Sequence, residues 1–165
     1  AGTAKRFAPR TAETTMAEEI IVVDPIAKIK SNTICYTAEK DKPISVNIAK
    51  HPQFISNEYI DGQGIFTFKN KITSIPEKAF FDCSKLDSII IPESVTEIGN
   101  SVFTRCHYLK MVYCQSTTPP TLGENAFSNI SREAKICVPK NSVALYKSAN
   151  GWKDYASKIV GCDFK

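Results

Sequence analysis

The chain has no long apolar run: none of its stretches approaches the roughly 20 residues that a membrane-crossing helix needs. Histidine is nearly missing, with 2 in 165 residues, His51 and His107. No C-x2-C or H-x3-H spacing occurs, so no metal is expected. The Cys106-His107 pair is adjacent, and adjacent side chains in a strand or turn diverge. No G-x-S-x-G, Walker or Rossmann pattern is present. A thiol hydrolase needs a cysteine, a histidine and an orienting group converging in space. His51 precedes Pro52 in what reads as a turn, and His107 follows a cysteine expected to be buried and therefore inert. Gly62-Gln63-Gly64 is a hairpin-type turn before a strand, not a phosphate loop, and Glu18-Glu19 reads as solvated charge. The chain is expected to be non-enzymatic and to hold no cofactor. The net charge of +4 is small and the lysines are dispersed, which argues against nucleic acid as a partner. The chain begins Ala1-Gly2, so the lack of a leader segment carries little weight.

What is present is a repeat. The segment 72–92 returns at 95–115, an offset of 23, with Ile75 matching Ile98, Phe80 Phe103, Cys83 Cys106, Leu86 Leu109 and Ile89 Val112. Backwards, Phe66 matches Ile89 and Phe68 matches Ile91, so 64–68 reads as the strand of a first, degenerate coil. Forwards, Leu122 matches Ile98 and Ala126-Phe127 matches Val102-Phe103 at an offset of 24, one residue having entered near Thr117–Pro120. A fixed period of this length means stacked units that bury a shared core, and loops between elements accept such insertions. About four coils cover 60–139, above the minimum of about three that a stack needs.

In each coil the short β-branched run, such as Ile89-Ile90-Ile91 before Pro92, predicts a strand. Ile89 and Ile91 point inward and Ile90 outward. Glu77–Phe81 predicts one helical or 3-10 turn whose phenylalanine fills the coil centre. Gly99 and Gly123 share a register that suggests a tight bend. Outward rows on successive strands are then Thr67, Ile90, Tyr113 and Cys137, and Ile65, Ser88, Met111 and Lys135. Of these Ile65, Thr67, Ser88, Ile90, Met111, Tyr113 and Lys135 form the candidate protein-binding face, since an exposed apolar patch marks contact sites and tyrosine is a common anchor. The competing reading is that the N-terminal segment, Ile20–Val23, folds over that face; the same segment could instead close the open end of the stack.

Cys83 and Cys106 share a register, which reads as a ladder of buried thiols; parallel stacked Cβ vectors rarely meet disulfide geometry. Cys114 is inward and Cys137 outward, so they do not pair, while Cys35 and Cys162 sit in the end segments without a place. Asn141-Ser142 is expected to cap a short helix through Lys147, with Trp152, Tyr155, Ile159 and Val160 over the last coil.

These residues resemble the BspA-like leucine-rich repeat family of bacterial surface proteins, whose coils read roughly hydrophobic-P-x-S-V-T-x-I-G-x-x-A-F-x-x-C-x-x-L. IIIPESVTEIGNSVFTRCHYL (89–109) fits with Val102 for the alanine, ITSIPEKAFFDCSKL (72–86) with Pro76 for the glycine, and LGENAF (122–127) leads to Ile130 at the cysteine position. Segments 33–44 and 55–68 look like the lead-in, and 138–161 like the closing segment, of Bacteroides members. The resemblance implies an α/β solenoid: a leucine-rich-repeat right-handed coil of about four 23–24-residue repeats, with short parallel strands, short helical or 3-10 turns and capped ends. The implied organisation is a flexible tether at 1–17, a lead-in cap at 18–59, the repeats at 60–139 and a closing cap at 140–165. The implied role is export to the bacterial cell surface or beyond, and adhesion or host-protein binding through the strand face. A structural spacer and a glycan-binding module are the alternatives. Asn129-Ile130-Ser131 is a glycosylation sequon that matters only in a eukaryotic secretory route.

Overall fold

A computed structural model describes residues 12–14, 20–22 and 26–165. Most of the expected tether at 1–17, and Val23, lie outside the described residues. Twelve strands are described: β1 (Ala12–Thr14), β2 (Ile20–Val22), β3 (Thr33–Ala38), β4 (Phe54–Ile60), β5 (Gln63–Phe68), β6 (Ser74–Ile75), β7 (Leu86–Ile91), β8 (Glu97–Ile98), β9 (Met111–Cys114), β10 (Thr121–Leu122), β11 (Lys135–Pro139) and β12 (Ile159–Cys162). A wide mixed sheet runs β12-β11-β9-β7-β3-β5-β4, and a narrow one runs β10-β8-β6. The strands β1 and β2 pair with each other.

The period fixes the register. In the wide sheet Ile89 pairs with Val112 and Val112 with Ile136, all parallel. In the narrow sheet Ser74 pairs with Glu97 and Glu97 with Thr121. Between the sheets the phenylalanines stack. The Phe80 and Phe103 rings are 5.4 Å apart and 9° from parallel, and those of Phe103 and Phe127 are 5.4 Å apart at 6°. Phe66 closes one end of this row at 5.7 Å and Trp152 the other at 5.7 Å.

The segment expected to form a helical turn does not. Lys78, Ser101 and Asn125 share a register and have φ of 59, 55 and 55°, and Asp82, Arg105 and Asn129 have 58, 67 and 63°. A left-handed residue every fourth position breaks any helix. It also turns alternate amides toward the next repeat: the Lys78, Phe80 and Asp82 amides donate to the carbonyls of Asn100, Val102 and Thr104 at 3.0, 3.0 and 2.8 Å. The amides between them bond within the turn, Ala79 to the Pro76 carbonyl and Phe81 to that of Lys78, both at 3.1 Å.

The first repeat departs from the simple stack. The strand β5 forms, and Phe66 and Phe68 are buried. It does not lie against β7, because β3 is inserted antiparallel to both. Cys35 pairs with Ile65 on one side and Ile90 on the other, so Ile65, not Thr67, shares the row of Ile90. A hairpin through Asp61 and Gly62, both left-handed, joins β5 to β4.

Gly99 and Gly123 are not at positive-φ bends. A Cβ on Gly99 would stand 2.7 Å from the Glu77 amide nitrogen, and one on Gly123 2.5 Å from that of Asn100. They are glycines because successive repeats touch there, backbone to backbone.

The closing segment holds a single α-helix, α1 (Val143–Ser148). Ser142 does not cap it; its hydroxyl donates to the Thr117 carbonyl at 2.7 Å. With Tyr146 Oη on the Ser116 carbonyl (2.6 Å) and Trp152 Nε1 on that of Pro120 (2.7 Å), the closing segment ties down the loop that holds the inserted residue. Trp152 and Ile159 join the main core, whereas Val160 faces the opposite side of the wide sheet.

Candidate functional site

The outward rows of the wide sheet are present but not open. Ile90 is 1% and Tyr113 0% exposed, Ser88 is buried with its hydroxyl bonded to Thr37, and Ile65, Thr67, Met111 and Lys135 are half-buried. The expected exposure of Ile90 and Tyr113 is corrected: both lie under this same chain. The described part of the cover is Ile26 and Ile29, with Phe164 from beyond β12. The strand β2, within Ile20–Val23, lies beside β12, and Val23 falls outside the described residues. The cover is tied by a parallel bridge between Ile26 and Phe164. The side chain of Gln115 secures the crossing, accepting from the Ile29 amide at 3.0 Å and donating to the Ala27 carbonyl at 2.8 Å. The physical reason is that the wide sheet has two apolar faces, and each needs burial. Tyr113 is buried with no hydrogen-bond partner for its hydroxyl among the described residues.

The cysteines divide by face. Cys137 and Cys162 form a disulfide on the covered face, with Cα atoms 5.6 Å apart. Cys35, Cys83, Cys106 and Cys114 are free and buried. Burial pushes the thiol of Cys106 up to about 12, that of Cys35 to about 12 and that of Cys114 to about 11. The Cys106 thiol donates to the Phe80 carbonyl at 3.0 Å. These thiols are protonated at neutral pH and are not nucleophiles. A buried thiol whose pKa is raised stabilises the fold below its unfolded pKa and loses that contribution as pH rises through the folded value. Thermal unfolding is therefore expected to be insensitive to these groups from pH 6 to 8. Above about pH 9, the ordinary value for the Cys106 thiol, the melting temperature should fall.

His51 Nδ1 accepts from the Gln53 amide at 3.0 Å, and its ring edge meets Phe68. His107 lines a shallow hollow with Asn129–Glu133. Neither histidine is bonded to a cysteine among the described residues, and there no group of three potential metal ligands forms.

A second open concavity lies over the narrow sheet. A groove of about 410 Å³ runs across the narrow sheet, lined by Ser74–Glu77, Glu97–Asn100 and Thr121–Gly123. The close approach at Gly99 and Gly123 keeps its floor low. Glu77 and Glu97 stand along it, and among the described residues neither carboxylate takes part in an ion pair. The sequence held the signal for this groove, since Ser74, Glu97 and Thr121 recur at offsets of 23 and 24, and the two glycines share one register.

The sequence profile of the BspA type leucine-rich repeat region matches residues 44–150, in six copies. The chain belongs to the BspA-type leucine-rich repeat family. No curated protein matches it. BspA-type repeat proteins are typically bacterial surface proteins, and leucine-rich repeats are generally non-catalytic modules for binding proteins. The match starts upstream of the four coils counted from the period and ends beyond them, taking in β4 and α1. Among the described residues no helix is long and apolar enough to cross a membrane.

Proposed function

We propose that this BspA-type chain is a short right-handed solenoid with capped ends, exported to the bacterial surface or beyond. It is non-enzymatic there and acts by contact with a protein partner. The contact surface is the groove over the narrow sheet. The observation that carries this reading is the cover over the wide sheet: the chain spends one apolar face on its core and the other on its own ends. The repeats then present their remaining recessed side, where Ser74, Glu97 and Thr121 offer one polar side chain per repeat. Repeat proteins bind through such surfaces, extended along the stack.

The test is a binding screen of the purified chain against extracellular-matrix proteins and glycans. Glu97→Arg/Thr121→Arg runs beside it, and Lys147→Glu on the exposed side of α1 serves as control. Glu97 and Thr121 are exposed, so both variants should keep the native circular dichroism. A protein ligand should lose at least tenfold in affinity to the groove variant and little to the control. A ligand held equally by both variants removes the groove from this reading. A blank screen leaves a spacer, and a glycan hit without a protein hit supports a lectin-like module instead.

A further inference from the structure

We propose that the Cys137–Cys162 disulfide is a redox latch that holds a strap, residues 26–31, closed over the apolar outer face of the wide sheet. Cys162 ends β12, the edge strand, and Cys137 lies on its neighbour β11. The three residues that follow Cys162 hold the strap. The Ile26 amide donates to the Asp163 carbonyl at 3.1 Å, the Lys165 amide to Ile26 at 3.0 Å, and the Lys28 amide to Lys165 at 2.9 Å. Beyond these bonds, Gln115 grips the strap at Ala27 and Ile29. Chain termini fray unless tied down. Here residues 163–165 are tied to β11 through the Cys137–Cys162 bond, and they in turn hold the strap.

The strap covers a continuous row. Val160, Cys137, Tyr113, Ile90, Cys35 and Ile65 occupy paired positions on six adjacent strands. Closure leaves the Tyr113 hydroxyl buried and without a partner among the described residues. Opening gives it water, so the closed state bears a desolvation penalty that the open state does not. The rest of the stack stands apart from the latch, because Cys83, Cys106 and Cys114 belong to the main core on the opposite side of the sheet.

The chemistry is thiol–disulfide exchange with a dithiol. The pair is buried, Cys162 at 3% and Cys137 at 0% exposed, so attack falls on Cys162 as the edge strand opens: one thiolate of the dithiol attacks its sulfur, the S–S bond breaks, and a mixed disulfide forms while Cys137 leaves as a thiolate. The second thiol of the dithiol closes its own ring and releases the protein. Two electrons pass to the chain, and two protons end on Cys137 and Cys162. The dithiol becomes a disulfide, and the reverse reaction closes the latch. An exported chain that meets an oxidising compartment would close on arrival.

Cys35 is the reporter. It is free, 1% exposed and lies in the covered cluster with Ile26 and Ile29. The full chain is treated with dithiothreitol or left oxidised, pulsed with iodoacetamide, and mapped by mass spectrometry. Reduction should raise the labelling rate of Cys35 at least tenfold, while Cys83, Cys106 and Cys114 stay as slow as before. Cys137→Ser/Cys162→Ser should show the fast Cys35 rate with and without dithiothreitol. If Cys35 stays slow after reduction, the disulfide is a local staple and the proposal fails. It also fails if all four thiols become reactive together, since that is unfolding and not release of a strap.

Discussion

Phe103→Ala should destabilise the chain by about 3–5 kcal/mol, the range for deleting a fully buried phenylalanine. The ring is fully buried between Phe80 and Phe127, near-parallel and 5.4 Å from each. Removing it opens a gap with a rigid wall on either side. The walls cannot close, because the Phe80 amide is bound to the Val102 carbonyl and the Phe103 amide to that of Ala126, at 3.0 and 2.8 Å. The cost of a cavity rises with how little its surroundings collapse. In a stack where each repeat touches only its neighbours, a break in the middle also separates two halves that are each too short to stand alone. Tyr155→Ala, which removes a half-buried ring from the end of the same row, should cost clearly less. Urea unfolding followed by circular dichroism reads both. A loss below about 1.5 kcal/mol for Phe103→Ala would mean that the ring row is not what holds the repeats together.

The phenylalanine row was legible because it is periodic. Once Phe80 is set against Phe103 at an offset of 23, stacking and register follow. What the period does not encode stayed hidden. The strand β3 has no counterpart in any other repeat, and its place between β5 and β7 comes from tertiary pairing alone. Local chemistry does mark the hairpin beside it, since Asp61-Gly62 between apolar runs is a strong two-residue turn signal. Setting the turn one residue later, at Gly62-Gln63-Gly64, leaves β4 within a lead-in.

The outer face shows a different limit. Alternation correctly sets Ile90 and Tyr113 opposite Ile89 and Val112. The step from opposite the core to exposed is the one that fails, because Ile26, Ile29 and Phe164 lie outside the repeats, where no pattern says what they cover. The disulfide is hidden for the same reason: Cys137 had a face, but Cys162 had none until β12 joined the sheet beside β11. The turn at Glu77–Phe81 departs from a helix because Lys78, and Asp82 just after it, take left-handed φ, which spacing alone does not reveal at a lysine or an aspartate.

Gly123→Ala should cost about 3 kcal/mol, at the upper end of what overpacking by one methyl usually does. The new Cβ would stand 2.5 Å from the Asn100 amide nitrogen and 2.5 Å from the Gly99 carbonyl carbon. Both are backbone atoms, and no rotamer change moves them away. Neither strand can slide to make room: the Gly123 amide is held on the Ile98 carbonyl at 2.8 Å and the Gly99 amide on that of Ile75 at 2.8 Å. Glu124 is tied across the same contact by the Asn100 side chain, which accepts its amide at 2.8 Å. That side chain also lies 2.5 Å from the new Cβ, so a clash with a movable amide group is the competing explanation. Gly123→Ala/Asn100→Ala separates the two. If the backbone is the obstacle, removing the amide group restores nothing, and the double variant is at least as unstable as Gly123→Ala. Recovery in the double variant, or a loss below about 1 kcal/mol in the single one, would mean that the repeats pack less closely at this wall than the structure shows. The same contact keeps the groove floor low, so the glycine register that sets the spacing of the repeats also shapes the surface proposed to meet a partner.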